Sequence, residues 1–489
     1  MDILETVQNY STMPAEGRKA CLAELSQGKE LKKLYRLTKG EHARAATRIM
    51  ADMGDRAADF IKGNAADVLA LFKAADPKVR MHAAQIIGNT CAPDHLEDLI
   101  YAIMHEDTLF ALPSFLLAIG NAKTQRAKEF LEAYTLRSDI EKHLIEEKAA
   151  LNKALANFVS KRKVHVRILP NDIVLLTTPN ANVTYAAYRR LGMKPKKFGE
   201  YIALSHLKKF DDIYQTRAFC DAYLYLGKCG VADLAEFFAK RENAILQRAG
   251  VTGYRLEVKN VSHEVRLSII KKCVASFQKL INTPSSYSIE IVLDINGDEA
   301  DVLLNPLSDT RFAYRRNAVA ASINPGVAAC VCAYASEFFR PDARVLDNFC
   351  GSGTMLYERG YYPHGTLTGV DINKHAVGVA EENNRCAEHH PQFLHMDALK
   401  FTAKRYDEII SNMPFGLRVG SHAQNERLYR QYFAMLPGIL TEKGIVTLYT
   451  QEKNLMEELI KSGGHFEVLK RATFESGGLY PAVYVLGKK

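Results

Sequence analysis

A glycine-containing turn followed by an acid is the first feature of this sequence with chemical potential. The segment 347–354, D-N-F-C-G-S-G-T, follows a short apolar run. Its glycines at 351 and 353 would let the backbone approach a ligand without interference from a Cβ atom. Asp371 ends the next apolar run, 24 residues after Asp347, where an acid can bind ribose hydroxyls. This spacing predicts a nucleoside-containing cofactor on a strand-to-helix turn.

A nicotinamide cofactor is the rival interpretation of the same turn. Its fingerprint, G-x-G-x-x-G/A, requires a third small residue. Here Gly353 is followed by Thr354, Met355 and Leu356, so that residue is absent. Asp347, immediately before the loop, also suits a cationic aminoacyl ligand better than a pyrophosphate. A dehydrogenase is therefore disfavoured.

A second segment, S-N-M-P-F-G at 411–416, ends a later apolar run. It resembles the (D/N)-P-P-(Y/F/W) motif of methyltransferases that act on exocyclic amines, with Met413 in place of the first proline. The Asn412 side chain and the Met413 carbonyl could accept N–H bonds from such an amine. Phe415 could stack on an extruded base. The bland alternative is an ordinary turn, which the first motif, Asp371 and Asp397 together disfavour.

Alternating strands and helices from about residue 311 would position both segments. Short apolar runs lie at 344–347, 366–371, 392–395, 406–410 and 444–449, and 466–472 with 482–486 could close the sheet. Helical segments at 375–388 and 426–440 separate some of them. This pattern predicts a parallel, doubly wound sheet, whose ligands bind outside the carboxyl ends of the strands.

The region from about 285 to the C-terminus resembles the THUMP-linked tRNA guanine-N2 methyltransferases. The similar phrases are Y-R-R at 314–316, A-S-I-N-P at 321–325, D-x-F-C-G-S-G-T at 347–354 and N-M-P-F-G-L-R-V-G-S-H at 412–422. Asn348 stands where the family more often has Pro. The resemblance implies S-adenosylmethionine as the cofactor and tRNA as the substrate.

The resemblance also implies site residues. Those expected to bind S-adenosylmethionine are Asp347, Phe349, Gly351, Gly353, Thr354, Asp371, Asp397 and Asn412. Those expected to form the catalytic loop are Asn412, Pro414 and Phe415. Met413 and Arg418 are expected to contact the RNA. The basic character of residues 161–210, rather than the resemblance, adds Lys196 and Lys197 as expected phosphate contacts.

Two further parts precede this region. Residues 1–160 are helical in texture, and glycines 54, 88 and 120 recur 34 and 32 residues apart. D-P-K-V-R at 76–80 leads to A-A-Q-I-I-G at 83–88, a phrase that resembles a HEAT-type repeat with glycine closing a helix. Such repeats stack into a solenoid that usually binds a partner, although a plain helical bundle is the alternative.

Residues 161–305 read as an α+β module that is similar to the THUMP-linked family's RNA-binding part. Strands are predicted at 164–169, 173–177, 254–258 and 288–295, with a hairpin return at 300–304 after Asn296-Gly297. Helices are predicted at 234–247 and 265–280. Residues 161–210 carry eleven Lys and Arg but two acids, which predicts contact with a phosphate backbone; a basic surface without a ligand is the alternative.

Composition agrees with a soluble protein of several domains. The chain has 489 residues, 47% hydrophobic and 25% charged, and a net charge of +8. It shows no secretory signal and no apolar run long enough for a membrane span. Its nine cysteines form no CxxC pair, so we expect a cytosolic protein without a metal site. The predicted fold is multidomain: a helical solenoid at 1–160, an α+β module at 161–305, and a Rossmann-like α/β methyltransferase domain at 306–489.

The sequence leaves the acceptor open among several amines. Guanine N2 in tRNA is the leading hypothesis; guanine in ribosomal RNA and an amine in DNA use the same chemistry. A non-catalytic RNA-binding scaffold is a hypothesis of another class, against which the intact Asp347, Gly351, Gly353, Asp371 and Asn412 weigh.

Overall fold

The computed structural model describes residues 3–26, 28–159, 164–283, 286–402, 405–415 and 422–489. The chain folds into two compact units. The first contains Met1–Val164 and Leu226–Leu307, and the second contains His165–Tyr225 and Ser308–Lys489. Within the described ranges, no helix is both long and apolar enough to cross a bilayer.

The amino-terminal part of the first unit is built from helices. They are α1 Ile3–Asn9, α2 Ala15–Leu25, α3 Gly28–Arg36, α4 Ala43–Met53, α5 Ala58–Lys62, α6 Ala65–Ala70, α7 Pro77–Thr90, α8 Leu96–Met104, α9 Leu112–Asn121, α10 Gln125–Ala133 and α11 Glu141–Ala156. Four of them, α4, α7, α9 and α11, pack on one another in that order. Asp76 caps α7 by accepting from the Lys78 N–H, and Pro77 occupies its first turn.

The recurring glycines differ from their predicted role. Gly54 does follow the end of α4, with φ of 59°. Gly88 and Gly120, however, lie inside α7 and α9. A Cβ atom on Gly88 would approach Ala118 to 2.6 Å, and one on Gly120 would approach Ala154 equally closely. These two glycines therefore allow close helix packing rather than closing a helix.

The middle of the chain alternates strands and helices. Its elements are β1 Ile173–Leu176, α12 Ala181–Arg190, β2 Lys196–Phe198, β3 Tyr201–Ser205, β4 Ala222–Gly230, α13 Leu234–Ala249, β5 Gly253–Lys259, α14 His263–Ser276, β6 Ile281–Asn282, β7 Ile289–Asn296 and β8 Glu299–Asn305. In the first unit the strand order is β8-β7-β5-β6. The β7–β8 hairpin turns at Asn296 and Gly297, as the sequence predicts.

In the second unit, β2, β3, β1 and β4 form antiparallel neighbours in that order. The strand predicted at 164–169 is wrong, because these residues form no ladder. Val164 and Val166 are nevertheless buried. The alternation of apolar residues at 164–169 therefore reflects the packing of a segment that belongs to no strand. Sequence reasoning also missed β2, β3 and β4.

The remaining elements form the carboxyl-terminal sheet and its helices. They are α15 Pro325–Ala335, β9 Arg344–Asp347, α16 Thr354–Gly360, β10 Thr366–Asp371, α17 Lys374–Asn384, β11 Gln392–His395, β12 Tyr406–Asn412, α18 His422–Ile439, β13 Leu440–Thr450, α19 Lys453–Gly463, β14 Phe466–Thr473 and β15 Ala482–Lys488. The strand order is β11-β10-β9-β12-β13-β15-β14. The first five strands are parallel, and β15 runs antiparallel to both of its neighbours.

Apolar side chains cover both faces of this sheet, as a doubly wound fold requires. Val345 belongs to a cluster that includes side chains of α15, α16 and α17. Its neighbour Leu346 belongs to a cluster with α18 and α19. The predicted Rossmann-like α/β architecture is confirmed for this part of the chain.

Candidate active site

The carboxyl ends of β9, β10 and β12 meet at one edge of the parallel sheet. They end at Asp347, Asp371 and Asn412, and β9 and β12 are adjacent central strands. These three residues line a cavity of about 750 Å³. Phe349, Gly351, Thr354, Asp397, Met413, Pro414 and Phe415 line it as well. The structure therefore brings most of the predicted site residues to one cavity.

The glycine turn between β9 and α16 forms one wall. Gly351 and Gly353 have φ of 52° and 82°, a region that glycine enters at little cost. A Cβ atom on Gly353 would lie 2.7 Å from the ring of Phe393 and 2.8 Å from that of Tyr357. Gly353 itself does not line the cavity, so it shapes the turn from behind.

Asp347 is a buried carboxylate at the start of this turn. Its Oδ1 accepts hydrogen bonds from the Ser411 hydroxyl (2.7 Å) and from the Phe349 N–H (3.1 Å). Burial raises the pKa of Asp347 to about 7, and the neighbouring charge of Asp371 contributes in the same direction. A cation bound in the cavity would reverse that shift.

Asn348, where the resembling family more often has Pro, is fixed by hydrogen bonds instead. Its side-chain oxygen accepts from the Tyr432 hydroxyl at 2.9 Å, and its N–H donates to Ser411 Oγ at 3.2 Å. Because Ser411 also contacts Asp347, it ties the end of β12 to the start of the turn.

Asp371 and Asp397 present carboxylates to the same cavity. Asp371 accepts from the N–H of Gly351 (2.9 Å) and from that of Asn373 (2.8 Å), one on each oxygen. Asp397 accepts from the Leu399 N–H at 3.0 Å. Ile372, 69% exposed, also lines the cavity. These groups combine acceptors for hydroxyl or amino groups with an apolar surface.

Hydrogen bonds from α18 to the Pro414 carbonyl hold the loop that follows β12. The Pro414 carbonyl accepts from Asn425 Nδ2 and from the Tyr429 hydroxyl, each at 2.9 Å. Tyr429 also contacts Thr450 Oγ1 at 2.8 Å. The Met413 N–H donates to the Tyr449 carbonyl at 2.9 Å. Helix α18 and strand β13 thus supply rigidity that Met413, in place of a proline, does not.

Two acceptor groups of this loop have no hydrogen-bond partner in the described part of the chain. Among the described residues, none forms a hydrogen bond with the Asn412 side chain or with the Met413 carbonyl. The Phe415 ring lies 5.6 Å from the Tyr449 ring and lines the cavity. The loop can therefore offer two oxygen acceptors beside an aromatic face.

The predicted RNA-contact residues have different outcomes. Met413 lines the cavity, although its side chain is buried. Lys196 and Lys197 are exposed on β2 and do not line the cavity. Arg418 lies outside the described residues. No group of three His, Cys, Asp or Glu in the described part of the chain could hold a metal ion.

Several cavity residues escaped sequence reasoning. They include Val319, Ala320, Ile372, Leu428, Tyr449, Ser476, Gly477 and Leu479. The signal for Ile372 was available, since it directly follows the predicted ribose acid. Ser476, Gly477 and Leu479 lie in the β14–β15 connection, more than 60 residues after the asparagine loop, and only the antiparallel return of β15 brings them to the cavity.

Comparison with known proteins agrees with this geometry. Residues 313–481 match the UPF0020 family, described as RMKL-like, methyltransferase domain. The tRNA (guanine(6)-N2)-methyltransferase of Thermus thermophilus is 31% identical over 213 residues, which are 41% of this chain and 61% of that protein. The protein of that name from Methanocaldococcus jannaschii is 28% identical over 24% of this chain and 32% of its own. The chain thus spans less than two thirds of these relatives.

Solved structures share the fold. The crystal structure of TrmN from Thermus thermophilus aligns with a TM-score of 0.51 at 21% identity, over 65% of this chain and 99% of that one. The crystal structure of SMU.472 in complex with S-adenosylhomocysteine aligns with a TM-score of 0.50 at 16% identity, over 65% of this chain and 98% of its own.

The predictions of a methyltransferase domain and of S-adenosylmethionine as its cofactor are therefore confirmed. The residues present fit this donor. A turn with glycine at position 351, the Asp371 carboxylate that accepts from the N–H of Gly351, and the buried Asp347 carboxylate face one cavity. Residues Asp347, Gly351, Asp371 and Asp397 could hold it there.

Proposed function

We propose that this chain methylates an exocyclic amine of an RNA base, with guanine N2 in tRNA as the acceptor. The observation that carries the proposal is the pairing of two features in one cavity. A turn that fits the methyl donor lies beside the Asn412 loop, whose acceptor oxygens have no partner among the described residues.

The asparagine loop would activate the acceptor nitrogen. The lone pair of an exocyclic amine is delocalised into its base ring, which makes the nitrogen a weak nucleophile. Asn412 Oδ1 and the Met413 carbonyl would each accept one N–H of that amine, favouring a pyramidal nitrogen with an available lone pair. The bonds from Asn425 and Tyr429 to Pro414 would keep these acceptors in position.

Other residues of the chain would bind and orient the two substrates. S-adenosylmethionine supplies an electrophilic methyl group on a sulfonium. Asp371 would bind ribose hydroxyls, Asp397 the adenine amino group, and Asp347 the aminoacyl ammonium. Phe415 would stack on the base after the base leaves its helical context.

The similarity to two tRNA (guanine(6)-N2)-methyltransferases supports RNA as the substrate. So does the basic character of 161–210, of which 165–210 belong to the same compact unit as the cavity. Lys196 and Lys197 are exposed in that segment and would contact phosphates.

We also propose the three domains that the sequence predicts, 1–160, 161–305 and 306–489. The successive packing of α4, α7, α9 and α11 supports HEAT-like repeats. Asparagines that follow the glycines repeat a contact: Asn89 donates to the Ala51 carbonyl and Asn121 to the Gly88 carbonyl. These repeats would bind a protein partner, and 161–305 would act as the THUMP-like module.

Nucleoside analysis tests the proposed acceptor. The purified full chain would be incubated with unmodified tRNA or ribosomal RNA and labelled S-adenosylmethionine, and the RNA then digested to nucleosides. Mass spectrometry should find the label in N2-methylguanosine from tRNA. Label only in methyladenosine or methylcytidine would refute the guanine assignment. No label in either RNA, together with no calorimetric heat on adding S-adenosylmethionine, would favour the scaffold hypothesis.

A further inference from the structure

The connection between β14 and β15 reaches the cavity without a role in the proposed chemistry. Ser476 and Leu479 pair with each other across a tight turn, through N–H to carbonyl bonds of 2.9 and 3.2 Å. The turn residues Gly477 and Gly478 have φ of 59° and 79°. The Glu475 carboxylate accepts from the Gly478 N–H at 3.0 Å. We call residues 476–480 the glycine hairpin.

The glycine hairpin is a built feature of the cavity wall. Ser476, Gly477 and Leu479 line the cavity together with Asn412 and Phe415. The Tyr449 ring links the two sides, since it lies 5.6 Å from the Phe415 ring and 6.4 Å from that of Phe474 at the base of the hairpin. The hairpin thus adjoins the acceptor side of the cavity.

The hairpin is also anchored to the basic segment. The Glu475 N–H donates to the Pro179 carbonyl at 2.8 Å, and Asn180 Nδ2 donates to the Thr473 carbonyl at 3.0 Å. Pro179 and Asn180 belong to the segment that carries Lys196 and Lys197. The residues that precede the glycine hairpin are thus bonded to the segment that carries the predicted phosphate contacts.

Two apolar side chains of the hairpin are exposed. Leu479 is 37% exposed and Tyr480 is 57% exposed. Stacking of an aromatic side chain on a base is a general means of holding unpaired nucleotides. Tyr480, which is exposed and directly follows the cavity residue Leu479, is suited to that contact.

We propose that the glycine hairpin is the second wall of the acceptor site, with Leu479 against the entering guanine and Tyr480 stacked on a flanking nucleotide. This inference rests on the proposed function. It assigns to the hairpin the recognition of RNA, separate from the binding of the methyl donor.

Steady-state kinetics with tRNA test the inference in Leu479→Ala, Tyr480→Ala and Tyr480→Phe. Val468→Ala is the matched control, because Val468 is an exposed apolar residue of β14 that does not line the cavity. Loss of one base stack costs about 1–3 kcal/mol, so Tyr480→Ala should lower kcat/KM for tRNA about 5- to 150-fold, mainly through KM. Tyr480→Phe should behave like the wild type. The affinity for S-adenosylhomocysteine, measured by calorimetry, should not change in any variant.

The outcomes separate this inference from the proposed function. If the wild type modifies guanine but Leu479→Ala and Tyr480→Ala match Val468→Ala, the hairpin is not the acceptor wall and the proposed function stands. Equal losses of RNA kinetics and cofactor affinity would make the hairpin merely structural. A wild type that methylates no RNA would refute both proposals together.

Discussion

Glycines serve opposite purposes in the amino-terminal helices and in the methyltransferase domain. Gly88 and Gly120 sit in helical conformation, and the space beside them is filled by Ala118 and Ala154 of neighbouring helices. Gly351 and Gly353 adopt positive φ and shape a turn that faces a cavity. In the helices, and at Gly353, the missing Cβ atom admits neighbouring protein side chains, whereas at Gly351 it leaves room for a ligand. Glycine spacing alone does not distinguish the two uses.

Buried carboxylates show the same contrast. Glu147 in α11 is fully buried, and its two oxygens accept from the Tyr134 hydroxyl and from the N–H groups of Arg137 and Ser138. Asp347 is equally buried, but its bonds converge on one oxygen, and it faces the cavity. A buried acid whose acceptors are used by the protein is structural, whereas one that keeps capacity beside a cavity marks a binding site.

The largest effect is expected when the side-chain oxygen of Asn412 is removed. Asn412→Ala should lower kcat about 10²- to 10³-fold, by analogy with the loss of one preorganised hydrogen-bonding group in an active site. The affinity for S-adenosylhomocysteine should change little. Asn412→Asp keeps an oxygen acceptor and should retain more activity. Equal damage to kcat and to cofactor affinity would contradict the assigned role.

Paired substitutions of a cavity carboxylate, Asp371, and of the structural carboxylate Glu147 come next. Asp371→Asn should weaken S-adenosylhomocysteine binding about 10- to 150-fold, because a bond to a charged group contributes about 1.5–3 kcal/mol. Glu147→Gln should leave that affinity unchanged and lower the free energy of unfolding. Calorimetry and denaturant titration measure the two quantities. If Glu147→Gln changed the affinity for the cofactor, the distinction between structural and ligand-binding carboxylates would be wrong.

Alanine at the two kinds of glycine should also separate binding from stability. Gly353→Ala would press a methyl group against Phe393 and Tyr357 at a positive φ. Overpacking lowers the free energy of unfolding by about 1–3 kcal/mol. Because the same overlap would displace the turn, the affinity for S-adenosylhomocysteine should also fall, about tenfold or more. Gly88→Ala should lower the free energy of unfolding by a similar amount, because the added methyl group would press on Ala118. The affinity for the cofactor should not change. Identical effects of both variants on binding would count against the contrast.

The buried Asp347 predicts a pH dependence of cofactor binding. Its folded-state pKa of about 7 lies above that of the unfolded chain, so the stability it contributes at low pH is lost as pH rises through about 7. A bound ammonium group favours the carboxylate. Affinity for S-adenosylhomocysteine should therefore increase at most about tenfold per pH unit below pH 7 and level off above it. Asp347→Asn should flatten the profile, and an unchanged profile in that variant would exclude Asp347 as its source.

The smallest effect is expected at exposed charges. Lys196→Gln with Lys197→Gln should reduce the salt dependence of RNA binding by about one unit of slope per lost phosphate contact. Lys240→Gln is the control, because Lys240 is paired with Glu236 on its own helix. If neither variant changes the salt dependence of RNA binding, Lys196 and Lys197 do not contact the RNA.

The sequence predicted the catalytic sheet well because its buried parallel strands are short apolar runs, with site residues at their ends. Strand β9 matches its predicted bounds, and β12 extends two residues beyond its expected end to Asn412. The short strand β2 was missed because it carries two exposed lysines and no apolar alternation. Local pattern also suggested a strand at 164–169, where no partner strand pairs.

Features that depend on distant contacts could not be predicted. The Pro414 carbonyl is held by Asn425 and Tyr429 on the following helix, and the hairpin wall comes from the end of the chain. Neither contact leaves a periodic signal. The role of Gly88 likewise depends on which helix packs beside it.

A crystal structure with S-adenosylhomocysteine would show whether the cavity holds the methyl donor beside the asparagine loop. We expect the ligand in the cavity, with its ribose on Asp371, its amino group at Asp347 and its sulfur facing Asn412. Binding elsewhere, or a sulfur turned away from the asparagine loop, would contradict the proposal that this cavity brings the methyl donor to an acceptor amine.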